Sequence, residues 1–300
     1  MAGLALRQGR RTPVQRFFLD PLVGGIVAVL IGLWRCVPIT GALKIGAGLG
    51  TLGGLFCRKR NRIADKNLRI AFPDMPVQRR KEIIRHMWKN FGRVFVSMTR
   101  LDDILTLVRI EDEKRFRALK NNPKGGFVIS AHLGNWEIAG GLLHQIGVTM
   151  NPVYRPANNP WLEKLLFQNR SGVKIPKGLS GSRLILQTLQ QKQYVGMLCD
   201  QKLNEGIAVP FFGKPAMTAP AVAHLALKYN VPIYPAFGVW TKDGKLVAHF
   251  LDPLSLPKSG TPDEKVCQIM ESINALFEQW ITRYPDQWLW MHRRFDKKEY

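Results

Sequence analysis

The sequence predicts an α/β fold in which a mixed or mostly parallel sheet is covered by helices on both faces, preceded by an N-terminal membrane-anchoring helix. Three observations carry this. From residue 126 onward, short apolar runs of strand length alternate with stretches of 3.6-residue periodicity. An apolar stretch bounded by arginines precedes them near the N-terminus. Finally, 300 residues are enough to bury one large core.

Residues 17–34 are apolar except for Asp20, with Arg7, Arg10, Arg11 and Arg16 before them and Arg35, Lys44 and the 58–62 basic cluster after them. This suits a segment that spans once or dips into one leaflet, and positive charge on both flanks sets no orientation. Residues 48–53 match G-x-G-x-x-G but follow no strand, so a dinucleotide loop is not supported. Gly46, Gly50 and Gly54 instead recur every four residues, which suits close helix packing. Residues 76–98 read as an amphipathic helix, with Ile83, Met87, Phe91, Val94 and Met98 on one stripe and Lys81, Arg85, Lys89 and Arg93 on another. Beyond it, 126–131 is a buried strand, 161–169 and 182–191 are helices, and 194–199 is a strand ending in Asp200-Gln201. Residues 221–228 are helical, and 231–238 and 246–251 are strands. Thr261-Pro262-Asp263-Glu264 is a capping box that starts a long amphipathic helix. The chain divides into an anchor and Gly-rich segment (1–56), a basic helical region (57–110) and an α/β domain (111–300).

The formal charge is +22, and its placement matters more than its size. From Cys57 through Arg100 stand thirteen Lys or Arg against Asp65, Asp74 and Glu82. Such a surface attracts a polyanion: anionic headgroups, an acidic protein or a nucleic acid. No nucleic-acid module is recognisable, so nucleic acid is not an expected partner. Four irregularly spaced cysteines support neither a zinc ribbon nor a redox pair, and they suit a reducing compartment.

The chemistry concentrates in His132-Leu133-Gly134-Asn135-Trp136-Glu137, at the exit of the 126–131 strand. A histidine followed five positions later by a carboxylate can form the base-plus-orienter half of a triad. The motif holds no nucleophilic Ser or Cys, so the nucleophile is expected to be a hydroxyl brought by the substrate. The plainer reading is a strand-end His with a solvent-facing Glu. Asp200 leaves a second strand at the corresponding place, where ligands of α/β sheets bind, so both residues can open into one crevice.

These residues resemble the late lipid A acyltransferases, bacterial enzymes that add secondary acyl chains to lipid A. The resemblance runs through His132 to Glu137, Tyr154-Arg155-Pro156-Ala157-Asn158-Asn159-Pro160, Arg170-Ser171-Gly172, Asp200-Gln201, the 209–216 stretch and the 286–294 stretch, with Asn67-Leu68 and Ala71-Phe72-Pro73-Asp74 upstream. It implies a glycerolipid-acyltransferase-like fold and transfer of a fatty acyl group from a thioester to a hydroxyl. The donor it implies is acyl carrier protein, an acidic partner suited to the basic face around residues 79–93. The acceptor is a lipid A precursor at the cytoplasmic face of the inner membrane. On this resemblance His132 is the general base and Glu137 its orienter, and the N–H groups near Gly134 and Asn135 are candidate oxyanion donors. Asn135, Arg155, Arg170, Asp200 and Gln201 are substrate-binding candidates. The two arginines would clamp phosphates, and Asp200 would bind acceptor hydroxyls or support His132. No metal or other cofactor is implied. The F-P-E-G-T-R block of glycerol-phosphate acyltransferases is absent, which argues against a glycerol-phosphate acceptor. Competing readings are acylation of another membrane glycolipid or aminolipid, using acyl-CoA or acyl carrier protein, a hydrolase using water, and a non-catalytic basic binding protein.

Overall fold

The computed structural model describes residue 12 and residues 15–167, 172–176 and 178–300. A π-helical turn at Gln15–Leu19 leads into α1 (Asp20–Arg35), α2 (Ile39–Phe56), α3 (Arg58–Ala71), α4 (Val77–Thr99) and the short α5 (Leu101–Leu105). Alternation then begins: β1 (Val108–Ile110), α6 (Glu113–Asn121), β2 (Gly126–Ser130), α7 (Ile138–Gln145), β3 (Met150–Tyr154), α8 (Pro160–Phe167), β4 (Ile175–Pro176), α9 (Leu179–Gln190) and β5 (Tyr194–Leu198). A hairpin of β6 (Lys202–Phe211) and β7 (Lys214–Thr218) follows, then α10 (Ala221–Tyr229), β8 (Ile233–Trp240), β9 (Leu246–Phe250) and α11 (Pro262–Arg283).

Seven strands form the central sheet in the order β1-β9-β8-β2-β5-β3-β4. Every pair is parallel except β8 with β9, so the sheet is mixed. That exception is a direct hairpin, whereas parallel neighbours need crossovers, here supplied by helices. β2 lies at the centre and is buried at all five positions. Its side chains alternate between two cores, as strand pleating requires. Phe127 and Ile129 join the core under α4, α9, α10 and α11, and Val128 joins the one under α1, α5, α6 and α7. Both faces of the sheet are thus covered.

Most local expectations hold within a residue or two. The capping box forms, with Thr261 Oγ1 accepting from the Glu264 N–H at 3.3 Å and Glu264 Oε2 accepting from the Thr261 N–H at 2.7 Å. α2 runs unbroken through residues 48–53, so that glycine pattern is helical and not a nucleotide loop. The stripe Gly46, Gly50 and Gly54 packs against Val96, Gly92 and Trp88 of α4 in descending order, so α2 and α4 run antiparallel in close contact. A Cβ on Gly50 would lie 2.3 Å from the Trp88 carbonyl oxygen. Residues 150–154, unassigned from periodicity, form β3, and residues 202–218 form a two-stranded sheet of their own. Trp288 and Trp290 are buried packing residues, 3% and 0% exposed. None of the four cysteines is in a disulfide.

Candidate active site

Because β2, β5 and β3 are parallel neighbours, their carboxyl ends open on one edge of the sheet. His132 follows β2, Asp200 and Gln201 follow β5, and Arg155 follows β3. Residues far apart in sequence therefore meet where α/β sheets bind ligands.

The centre is a hydrogen-bonded set around Asp200, whose side chain is 2% exposed. His132 Nδ1 stands 2.7 Å from Asp200 Oδ1, and the His132 backbone N–H donates to Oδ2 at 2.9 Å. The Trp288 indole N–H donates to the same Oδ2 at 2.8 Å. Burial alone would push the Asp200 carboxyl up. The charge of His132 and the donors from His132 and Trp288 outweigh it and hold the group down at about 2. An ionised carboxylate only accepts, so Nδ1 carries a proton in either charge state, and in the neutral ring Nε2 presents its lone pair. Nε2 faces the Gln201 side-chain nitrogen at 3.4 Å. Trp136 and His292 close around the imidazole, with ring centroids 5.3 and 6.2 Å from it.

The loop after β2 explains why the partner is Asp200. Gly134 sits at φ +57°, and a Cβ there would lie 1.9 Å from the Gly238 carbonyl oxygen, so only glycine lets the loop close over β8. The Gly134 N–H donates to Gln287 O at 3.0 Å and the Asn135 N–H to Gly238 O at 2.7 Å. These donors are already used, which corrects their expected role as oxyanion donors. The Asn135 side chain is fully buried. Its Nδ2 donates to Ser97 Oγ on α4 at 2.9 Å, and its Oδ1 accepts from the Glu137 N–H at 3.3 Å. Asn135 is thus engaged in tying the loop to α4. Glu137 lies at the N-cap of α7, past this pinned turn. The carboxylate on Nδ1, expected from the spacing to be Glu137, is Asp200, which the neighbouring strand β5 brings beside the exit of β2.

Arg155 is exposed at the same edge, and Arg170 lies outside the described residues. Several residues of the frame had no individual role in the sequence reading. Leu289 N–H donates to His132 O at 3.0 Å. Asn90 Nδ2 donates to Gly134 O at 2.8 Å, and Asn67 Nδ2 to the carbonyls of Trp290 and His292 at 2.6 and 2.7 Å. Gln287 brackets the Trp240 backbone, with its Oε1 accepting at 2.9 Å and its Nε2 donating at 2.7 Å. Arg294, 1% exposed, lies over the Phe211 ring and donates to Met217 O, Thr218 Oγ1 and Asn274 Oδ1. For Gln287, Leu289 and Arg294 the signal available was the dense Trp, Gln and Arg content of residues 286–294, in which no single residue identifies itself. Among the described residues no group of three or more His, Cys, Asp or Glu is placed to hold a metal ion.

Comparison with known proteins finds a family and several relatives for this chain. The model of the bacterial lipid A biosynthesis acyltransferase family matches residues 16–297. A lipid A biosynthesis acyltransferase of Haemophilus influenzae is 26% identical over 284 residues, covering 88% of both chains. A lipid A biosynthesis palmitoleoyltransferase of Escherichia coli is 25% identical over 280 residues, 89% of this chain and 88% of its own. A lauroyltransferase of the same organism is 24% identical over 302 residues, 93% and 92% of the two chains. A solved 1-acyl-sn-glycerophosphate acyltransferase of Thermotoga maritima aligns over 88% of this chain and 98% of its own, with 12% identity and a TM-score of 0.37. The chain belongs to the bacterial lipid A biosynthesis acyltransferase family.

Proposed function

We propose that this acyltransferase moves a fatty acyl chain from the thioester of acyl carrier protein to a hydroxyl of a lipid A precursor, at the cytoplasmic face of the bacterial inner membrane. The observation that carries the reading is the His132–Asp200–Trp288 set at the shared carboxyl edge of β2 and β5. It is a base with a buried orienting acid and, among the described residues, no Ser or Cys bonded to it, as transfer to an incoming hydroxyl requires.

In this reading the acceptor hydroxyl takes the place at Nε2 now faced by Gln201. Nε2 accepts its proton as the oxygen attacks the thioester carbonyl carbon. Asp200 holds the Nδ1–H and stabilises the imidazolium that forms. The tetrahedral intermediate collapses, the C–S bond breaks, and the imidazolium returns the proton to the departing thiolate. Ester and free thiol are the products. Arg155 and Arg170 are assigned to acceptor phosphates, which the guanidinium fork suits. Glu137 keeps the place of a second positioning carboxylate at the head of α7.

The test is mass spectrometry of a lipid A precursor incubated with acyl-loaded carrier protein and this protein in detergent. A gain of one acyl chain is expected, and His132→Ala should abolish it within detection, since such proton transfer contributes roughly 10²–10⁴-fold. A gain that survives His132→Ala overturns the mechanism. No gain with carrier protein but a gain with acyl-CoA moves the donor assignment.

A further inference from the structure

Arg16–Arg35 and Ile39–Phe56 are both long and apolar enough to cross a membrane by length and composition. Neither has an end free of the body. α1 is tied down near its start, where Asn159 Nδ2 donates to Asp20 O at 3.0 Å and Gly24 rests against Trp161. It is tied again at its end, where Trp34 Nε1 donates to Thr99 Oγ1 at 3.3 Å and Arg100 Nη1 donates to the carbonyls of Trp34 and Val37 at 2.9 and 2.7 Å. α2 is held along its length by the glycine stripe on α4. A helix crossing the ~30 Å hydrocarbon core would carry one end away from the body. Here the surface carries the apolar load instead: Ile26, Val29 and Leu33 of α1 and Leu49, Leu52 and Phe56 of α2 are all exposed, at helical spacing.

Between α2 and α4 runs a groove of about 690 Å³ with Ala47 and Leu52 on its apolar side and Lys44, Arg85, Lys89 and Arg93 around it. Among the described residues none of these four cations is in an ion pair, and Arg93 lies over the Trp240 ring at 5.1 Å. Apolar surface beside unneutralised cations matches the two-part chemistry of a lipid with an anionic headgroup.

We propose that α1 and α2 lie in the plane of one leaflet instead of crossing the bilayer, and that the α2–α4 groove seats the phosphate of an anionic lipid of that leaflet. This rests on the reading of a lipid acceptor in the membrane, but its test reads no acyl transfer, so the two fail separately. In cells expressing the full chain with an N-terminal tag and Cys36 as its single cysteine, the tag should be cleaved by protease in inverted membrane vesicles and not in spheroplasts. An impermeant maleimide should leave Cys36 unlabelled in spheroplasts. Cleavage or labelling in spheroplasts means that a helix crosses, and overturns the proposal. In co-sedimentation, the purified chain should bind phosphatidylcholine vesicles containing phosphatidylglycerol more tightly than phosphatidylcholine alone. The double substitution Arg85→Glu, Lys89→Glu should remove that preference, weakening binding at least about tenfold. A variant that still binds phosphatidylglycerol vesicles like the parent, and loses only binding to an acidic carrier protein, assigns the groove to the protein partner and overturns its lipid assignment.

Discussion

The carboxyl edge of the sheet and the N-terminal helix pair break the ordinary burial rule in opposite directions. At the edge, a carboxylate is 2% exposed and satisfied by three donors. On α1 and α2, large apolar side chains such as Val29 and Phe56 are 63% and 80% exposed. A buried charge persists only when its surroundings are built for it, and an exposed apolar stripe only when something other than water covers it. The proposed base rests on the first of these exceptions and the proposed lipid face on the second.

The largest expected effect tests the first half of this contrast. Asp200→Asn keeps the shape but removes the acceptor that sets the imidazole tautomer, and should lower kcat on the order of 10²–10⁴-fold with little change in KM. Glu137→Gln should cost less. The reverse order, measured with the same acyl-transfer assay, would return the orienting role to Glu137. On the second half, Gly50→Leu forces a side chain into the α4 backbone and should destabilise the chain by about 1–3 kcal/mol in thermal melts. An unchanged melt would mean that α2 is not seated on α4.

Two smaller effects sharpen the picture. Trp288→Phe removes one donor to a charged acceptor and should cost about 1.5–3 kcal/mol, read as a lower melting temperature. Asp200 also makes stability depend on acid. Its carboxyl is held at about 2, below its usual 3.8, so the stabilisation is fully present above pH 3.8 and is lost as pH falls toward 2. The parent should lose about 2 kcal/mol across that window, and Asp200→Asn should lack this component in acid titration followed by circular dichroism.

Much of this molecule is written in short-range patterns. The 3.6-residue stripe of α4, the capping box of α11, the apolar run of β2 and the four-residue glycine spacing of α2 each depend on neighbours within a few positions, and each appears in the structure. His132 and Asp200 were both visible as polar residues at strand exits, for the same reason. Which carboxylate meets the imidazole was not visible. That depends on β5 lying beside β2, on a turn pinned at Gly134 and on Trp288 arriving from 88 residues beyond Asp200. The antiparallel β9 and the closure of α1 and α2 onto the body have the same origin. Periodicity states which face of an element is apolar, but its partner is settled only when all the elements compete for one core.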